Sequence, residues 1–137
     1  MSKFFILTFS LFLATAAFAQ NPQIRICRVT EGEFQAVDIP GDQIGLCHYQ
    51  NSFIDAVSIL TVTSGENQSL AIQALFGSNT DSCEAAGAQT VAGQDLEGNQ
   101  FQLCLFQDQS LIELNTLITT ATGASNAGLV KAIQTRF

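Results

Sequence analysis

Gly45-Leu46-Cys47-His48-Tyr49-Gln50 and Gln102-Leu103-Cys104-Leu105-Phe106-Gln107 are the stretches on which the reading of this chain turns. Each is centred on Leu-Cys, and each is followed by a Ser-headed segment, Ser52-Phe53-Ile54-Asp55 or Ser110-Leu111-Ile112-Glu113. The correspondence extends in both directions. Upstream, Cys27-Arg28-Val29-Thr30-Glu31-Gly32 lies over Cys83-Glu84-Ala85-Ala86-Gly87 with a small slack. Downstream, Leu60 matches Leu117, and Ala71-Ile72-Gln73-Ala74-Leu75-Phe76 matches Ala132-Ile133-Gln134-Thr135-Arg136-Phe137. Landmarks in the same order at nearly constant spacing read as two tandem units, residues 20–76 and 77–137.

Local signals give each unit the same element order. Asn21-Pro22 and Ser78-Asn79-Thr80-Asp81 are helix-start signals, which place the first Cys of each unit on a short helix ending near Gly32 or Gly87. Residues 33–39 and 88–94 read as strands, followed by the turns Pro40-Gly41-Asp42 and Glu97-Gly98-Asn99. The second strands, Ile44 to Tyr49 and Phe101 to Phe106, alternate. One face carries Ile44, Leu46 and His48, or Phe101, Leu103 and Leu105; the other carries Cys47 and Tyr49, or Cys104 and Phe106. Ser52-x-x-Asp55 and Ser110-x-x-Glu113 resemble capping boxes and favour helices over the runs that follow, 57–63 and 117–122, although these runs are β-branched and strands stay open for both. A last helix closes each unit, lined by Leu70, Ile72, Leu75 and Phe76, or by Leu129, Val130, Ile133 and Phe137. The expected fold is α+β: two tandem repeats, each a short helix, a β-hairpin and one or two following helices, packed as one compact domain.

Residues 1–19 read as a cleaved signal peptide. Lys3 supplies a positive start, Phe4 to Leu13 a short apolar core, and Ala17-Phe18-Ala19 a small-x-small cleavage site with Gln20 following. No later stretch is apolar enough to cross a membrane. The expected product is exported, periplasmic or secreted. Its formal charge of −7 for the whole chain opposes binding to nucleic acid.

The four cysteines, Cys27, Cys47, Cys83 and Cys104, all follow the signal segment and read as disulfides in an exported chain. Spacing alone leaves the pairing open. The duplication favours Cys27–Cys47 and Cys83–Cys104, because a single ancestral unit contained only that one pair; bridges between units stay open. Each loop closed in this way would contribute on the order of 3 kcal/mol in the chain-entropy model.

Asn21-Pro22, Cys27, Gly32, Gly41 and Gly45-Leu46-Cys47-His48-Tyr49 together resemble the bacterial haemolysin family catalogued as domain of unknown function 333. The resemblance runs from the opening helix through the second strand of each unit. It implies a short exported module, and it brings no active-site residue with it.

No residue stands out as catalytic. His48 is the only histidine and adjoins Cys47, but neighbours on a strand point to opposite faces. Its counterpart is Leu105, so it reads as a half-buried strand residue. Zinc ligation lacks ligands once the cysteines are paired, and no other metal or cofactor motif is present. Asp42, Asp55, Glu97, Asp108 and Glu113 sit in turn or cap settings. Phe137 would suit the end of an outer-membrane barrel, yet it matches Phe76 and reads as a core residue closing a helix.

The function expected is therefore a non-catalytic module that binds a protein, peptide or glycan partner. The alternative is a small secreted hydrolase or lytic factor, for which residues 125–137 would be the releasable segment. Acids gathered with His48 in a pocket between the units would favour an enzyme. A closed core with an exposed apolar or aromatic patch would favour the binding module. Peptide mapping without reduction should recover Cys27–Cys47 and Cys83–Cys104; a Cys47–Cys104 or Cys27–Cys83 peptide would contradict the closed-unit arrangement.

Overall fold

The computed structural model describes residues 21–77 and 81–137. The signal segment and most of the helix start expected at 78–81 lie outside the described residues. Among the described residues the order is α1 (Pro22–Val29), β1 (Glu33–Ile39), β2 (Asp42–Tyr49), β3 (Ser52–Asp55), α2 (Ala56–Thr63) and α3 (Leu70–Leu75). A 3-10 turn (Glu84–Ala86) leads into β4 (Gln89–Asp95), β5 (Gln100–Leu105), β6 (Leu111–Glu113) and α4 (Leu114–Thr119). A second 3-10 turn (Ala124–Asn126) precedes α5 (Ala127–Gln134). The α+β expectation holds.

The strands form one closed antiparallel barrel in the order β1-β2-β3-β6-β5-β4. Two three-stranded meanders meet at two seams. At one seam Ile54 pairs with Ile112, and at the other Val37 pairs with Asp95 and Asp38 with Gln94. Alternation sorts the side chains. Val37, Leu46, Leu103 and Leu111, with Ile39, Ile44, Phe53, Val91, Phe101 and Leu105, come from all six strands and fill the barrel. The opposite face of β2, β3, β5 and β6 gives Cys47, Tyr49, Ile54, Cys104, Phe106 and Ile112 to a larger core shared with the helices. The expected division of Ile44/Leu46 from Cys47/Tyr49 is therefore the division between the inside of the barrel and its helix-covered outside. Gly93 reflects how narrow that inside is: an added Cβ would lie 2.8 Å from Val37 Cγ1 and 2.9 Å from Leu103 Cδ1.

Each element has a local cause. Asn21 caps α1, accepting from Gln23 N at 2.9 Å, and Pro22 opens the helix where no amide partner is needed. Pro40-Gly41 joins β1 to β2 with Gly41 at φ +80°, the left-handed position a type II turn requires. The cysteines bridge Cys27 to Cys47 and Cys83 to Cys104, each with Cα atoms 5.1 Å apart. They fasten α1 to β2, and the 3-10 turn to β5. All four are buried in the helix-side core.

Three expectations need correction. Ser52-x-x-Asp55 and Ser110-x-x-Glu113 are not capping boxes, because these residues form or adjoin the third strands β3 and β6. The helix cap is the acid itself: Asp55 is the N-cap of α2 and accepts from Ser58 N, while Ser52 Oγ donates to Ser125 O at 3.0 Å and to Asn126 Oδ1. Helices do follow, over Ala56–Thr63 and Leu114–Thr119, but the second starts three residues before the expected 117–122 and ends at Thr119, where Thr120 turns to φ +64°. In the second half the first Cys precedes a 3-10 turn rather than sitting in an α-helix, with Gly87 ending the turn at φ +83°. Phe137 is 73% exposed and Phe76 46% exposed, so neither is a core residue. Both lie past the end of their helices, where burial of the preceding Leu75 and Ile133 already fills the core.

Ile54 and Ile112 are both fully buried at the seam. Ile54→Val and Ile112→Val should each cost about 0.5–1.5 kcal/mol in denaturant unfolding. Their double mutant should depart from additivity by at least about 0.5 kcal/mol, as contacting side chains do; strict additivity would contradict the pairing.

Candidate functional site

Strand direction places the starts of β1, β3 and β5 and the ends of β2, β4 and β6 at one mouth of the barrel. The inward-facing positions there are Glu33, Gln35, His48, Phe53, Asp95, Phe101 and Glu113, as register shows: Glu33 pairs with His48, His48 with Phe53, and Gly93 with Phe101. His48 stacks on Phe53 with ring centroids 4.0 Å apart and planes within 9°. Phe101, from the other half of the chain, meets Phe53 edge-on at 5.0 Å. Three rings from both halves thus line this mouth, in a geometry that aromatic pairs favour.

The polar groups around the rings differ in how far they are already engaged. Asp95 accepts from Asn99 Nδ2 at 2.9 Å, Asn99 N at 2.8 Å, Glu97 N at 2.9 Å and Gln35 Nε2 at 2.6 Å. The Asn99 side chain first, with these other donors, holds its carboxyl below the usual range. Asp95 is therefore a fixed anchor for the 96–99 loop and, through Gln35, for the seam. Burial pushes the Glu113 carboxyl up, although Thr116 donates to it at 2.9 Å and His48 lies close enough to oppose the shift. Glu33 and Glu97 are exposed.

Two clefts share lining residues, one at this mouth and the other on the outer wall of β1, β4 and β5. One of about 500 Å³ is lined by Glu33, Gln35, His48, Phe53, Glu97 and Asn99, and the other of about 480 Å³ by Asp38, Ile39, Pro40, Ala92, Gln94 and Gln102. Gln100 and Phe101 line both. Ala92, Gln94, Gln100 and Gln102 share the outer face of β4 and β5 and are all exposed. The result is a groove of amides and rings running across the β1–β4 seam.

A third cleft, of about 450 Å³, lies at the opposite mouth against α2 and includes Asp55, Ser58, Ser69, Asp108 and Ser110. Its acids and serines are spent on structure. Asp55 accepts from Ser58 N, Ser58 Oγ and Leu111 N, and burial pushes its carboxyl up, with nearby Asp108 adding to the rise. Asp108 accepts from Leu70 N at 2.8 Å and from Ser110 N and Oγ. Burial pushes Asp108 up, but these donors outweigh it and hold the carboxyl below the usual range. Ser110 accepts in turn from Ala71 N, so Asp108 and Ser110 cap α3 from the other half of the chain. This cleft carries helix caps, not a free acid–base pair.

Of the residues weighed in the sequence, His48 is half-buried at the ring-lined mouth, and Cys47 points the opposite way into its disulfide. Glu97 and Glu113 come near this mouth; Asp55 and Asp108 are brought together at the other. Asp42 stays exposed beside the Pro40-Gly41 turn. Sequence reasoning did not find Phe53, Phe101, Gln94 or Gln102 as site residues. The available signal was the Gln-x-Gln spacing of Gln100 and Gln102, which sets two amides on one outer strand face. Among the described residues no group of three or more His, Cys, Asp or Glu is placed to hold a metal ion, and no helix is long and apolar enough to cross a membrane. Comparison with family models, curated proteins and solved structures finds no match to this chain.

The anchoring role of Asp95 has a pH signature. A carboxyl held below its unfolded value of about 3.9 stabilises the fold above that pH and loses its contribution as pH falls through the folded value. Asp95→Asn should therefore be less stable than the parent at neutral pH, with the gap closing in acid. A gap that is constant from neutral pH to below pH ~3, measured by urea unfolding, would contradict the anchor.

Proposed function

We propose that this protein is an exported, non-catalytic module that binds a protein, peptide or glycan partner through the groove at the ring-lined mouth. The observation that carries the reading is the gathering of His48, Phe53 and Phe101 from both halves at a mouth bordered by the exposed amides of Gln94, Gln100 and Gln102. Two buried disulfides fit an oxidising compartment and give a small domain a rigid frame on which to present that groove. Duplication of one ancestral unit is supported by the seams. Ile54 and Ile112, matched in the sequence, pair with each other, and the two disulfides span 20 and 21 residues.

A hydrolase is the second reading, favoured by Glu113, whose raised carboxyl lies near His48 in the same mouth. The binding reading is preferred because Asp95 is saturated by donors and Glu33 and Glu97 lie exposed, leaving no second carboxyl in an environment suited to acid–base work. Immobilised protein should retain a component of native envelope or culture fluid that Phe101→Ala fails to retain. Equal retention by both would remove the groove from the account. Turnover of a glycoside or ester panel that is lost in Glu113→Gln would reverse the ranking.

A further inference from the structure

We infer that the groove takes a neutral oligosaccharide, threaded past Phe101 so that it occupies both adjoining clefts. This rests on the binding-module reading and names the class of its ligand. Three features of the groove converge on sugar chemistry. The first is the lining of rings. A pyranose presents a face of C–H groups that packs on an aromatic side chain, and Phe101 stands where the two clefts meet, with Phe53 and His48 beyond it. The second is the amides. Gln94, Gln100 and Gln102 lie on the exposed outer face of β4 and β5, across the strand from the inward-facing Phe101 that borders the same cleft, and a planar amide both donates and accepts, as neighbouring sugar hydroxyls require. Asp38 accepts from Gln43 at 3.1 Å and keeps further lone pairs for a hydroxyl donor.

The third feature is charge. Neither cleft contains a Lys or Arg, while Asp38, Glu33 and Glu97 border them. A sulfated, phosphorylated or uronic-acid chain would meet carboxylates and no Lys or Arg there, so the chemistry selects against anionic ligands. Polypeptide ligands fit less well. The β1–β4 seam is paired over only two residues, so it offers a peptide only a short, interrupted edge, and the absence of Lys and Arg from both clefts removes phosphopeptide recognition. Each cleft, at about 480 or 500 Å³, falls within the usual ligand-pocket range, so a chain spanning both is an oligomer rather than a single sugar.

The test is calorimetric titration of the oxidised protein with cello-, chito- and manno-tetraoses, their monosaccharides, and heparin. At least one neutral tetraose should bind, about tenfold or more tighter than its monosaccharide, with an affinity that does not change with salt. Gln94→Ala/Gln102→Ala, at exposed positions that leave the core intact, should weaken that binding about tenfold or more, and Phe101→Ala should abolish it. Binding confined to heparin, unchanged affinity in the glutamine double variant, or no binding by any neutral tetraose would each overturn the proposal. If no tetraose binds while retention of a native component still depends on Phe101, the ligand class is wrong and the groove stands. If retention is also indifferent to Phe101, both readings fall.

Discussion

Barrel closure rests on very few backbone pairs. The two meanders are each stitched by long registers, β1 with β2 over seven residue pairs and β4 with β5 over six, whereas the seams between halves hold one pair and two. Side chains reinforce the seams. Gln35 donates across one to Asp95, and Asp55 accepts Leu111 N across the other. Apolar packing inside the barrel does the remainder, because Val37, Leu46, Leu103 and Leu111 are buried only while both halves are present. Without closure each meander would expose a strand edge and half a core.

Closure also creates the site. Phe53 and Phe101 lie in different halves and meet only at the mouth, and the groove runs along the β1–β4 seam where Asp38 pairs with Gln94. The same constraint explains why the opposite mouth differs. There the positions matching His48 and Phe53 are Leu105 and Leu111, and the cleft's Asp55, Asp108 and Ser110 are engaged in capping helices. One end of the barrel is committed to holding helices; the other carries rings and amides with hydrogen-bonding capacity left over.

Much of this was legible in the sequence because it is local. Turn signals bounded the first strand of each half, and alternation placed the second and told Leu46 from Cys47. Pro40-Gly41 marked the turn, and the spacing of the cysteines, once read as a duplication, picked out their partners. What the sequence concealed was non-local. Ser52-Phe53-Ile54-Asp55 carries a helix-start pattern and is a strand, held on one side by four pairs with β2 and on the other by Ile112, a partner that no short window contains. Asp55 still caps the helix, but as its N-cap rather than as the third-position acid of a box headed by Ser52. Phe101 reads as one more apolar strand residue, and only its position at the mouth makes it a candidate contact. Phe76 and Phe137 show the reverse: matched positions suggested shared burial, yet the helices end before either ring reaches the core.

The most direct test of closure and site together is a nuclear Overhauser spectrum of the oxidised protein with assigned phenylalanine rings. Ring centroids of Phe53 and Phe101 at 5.0 Å require strong cross-peaks between the two rings, alongside those between Phe53 and His48. Cross-peaks from Phe53 to His48 alone, with none to Phe101, would mean that the halves do not close and would contradict the account.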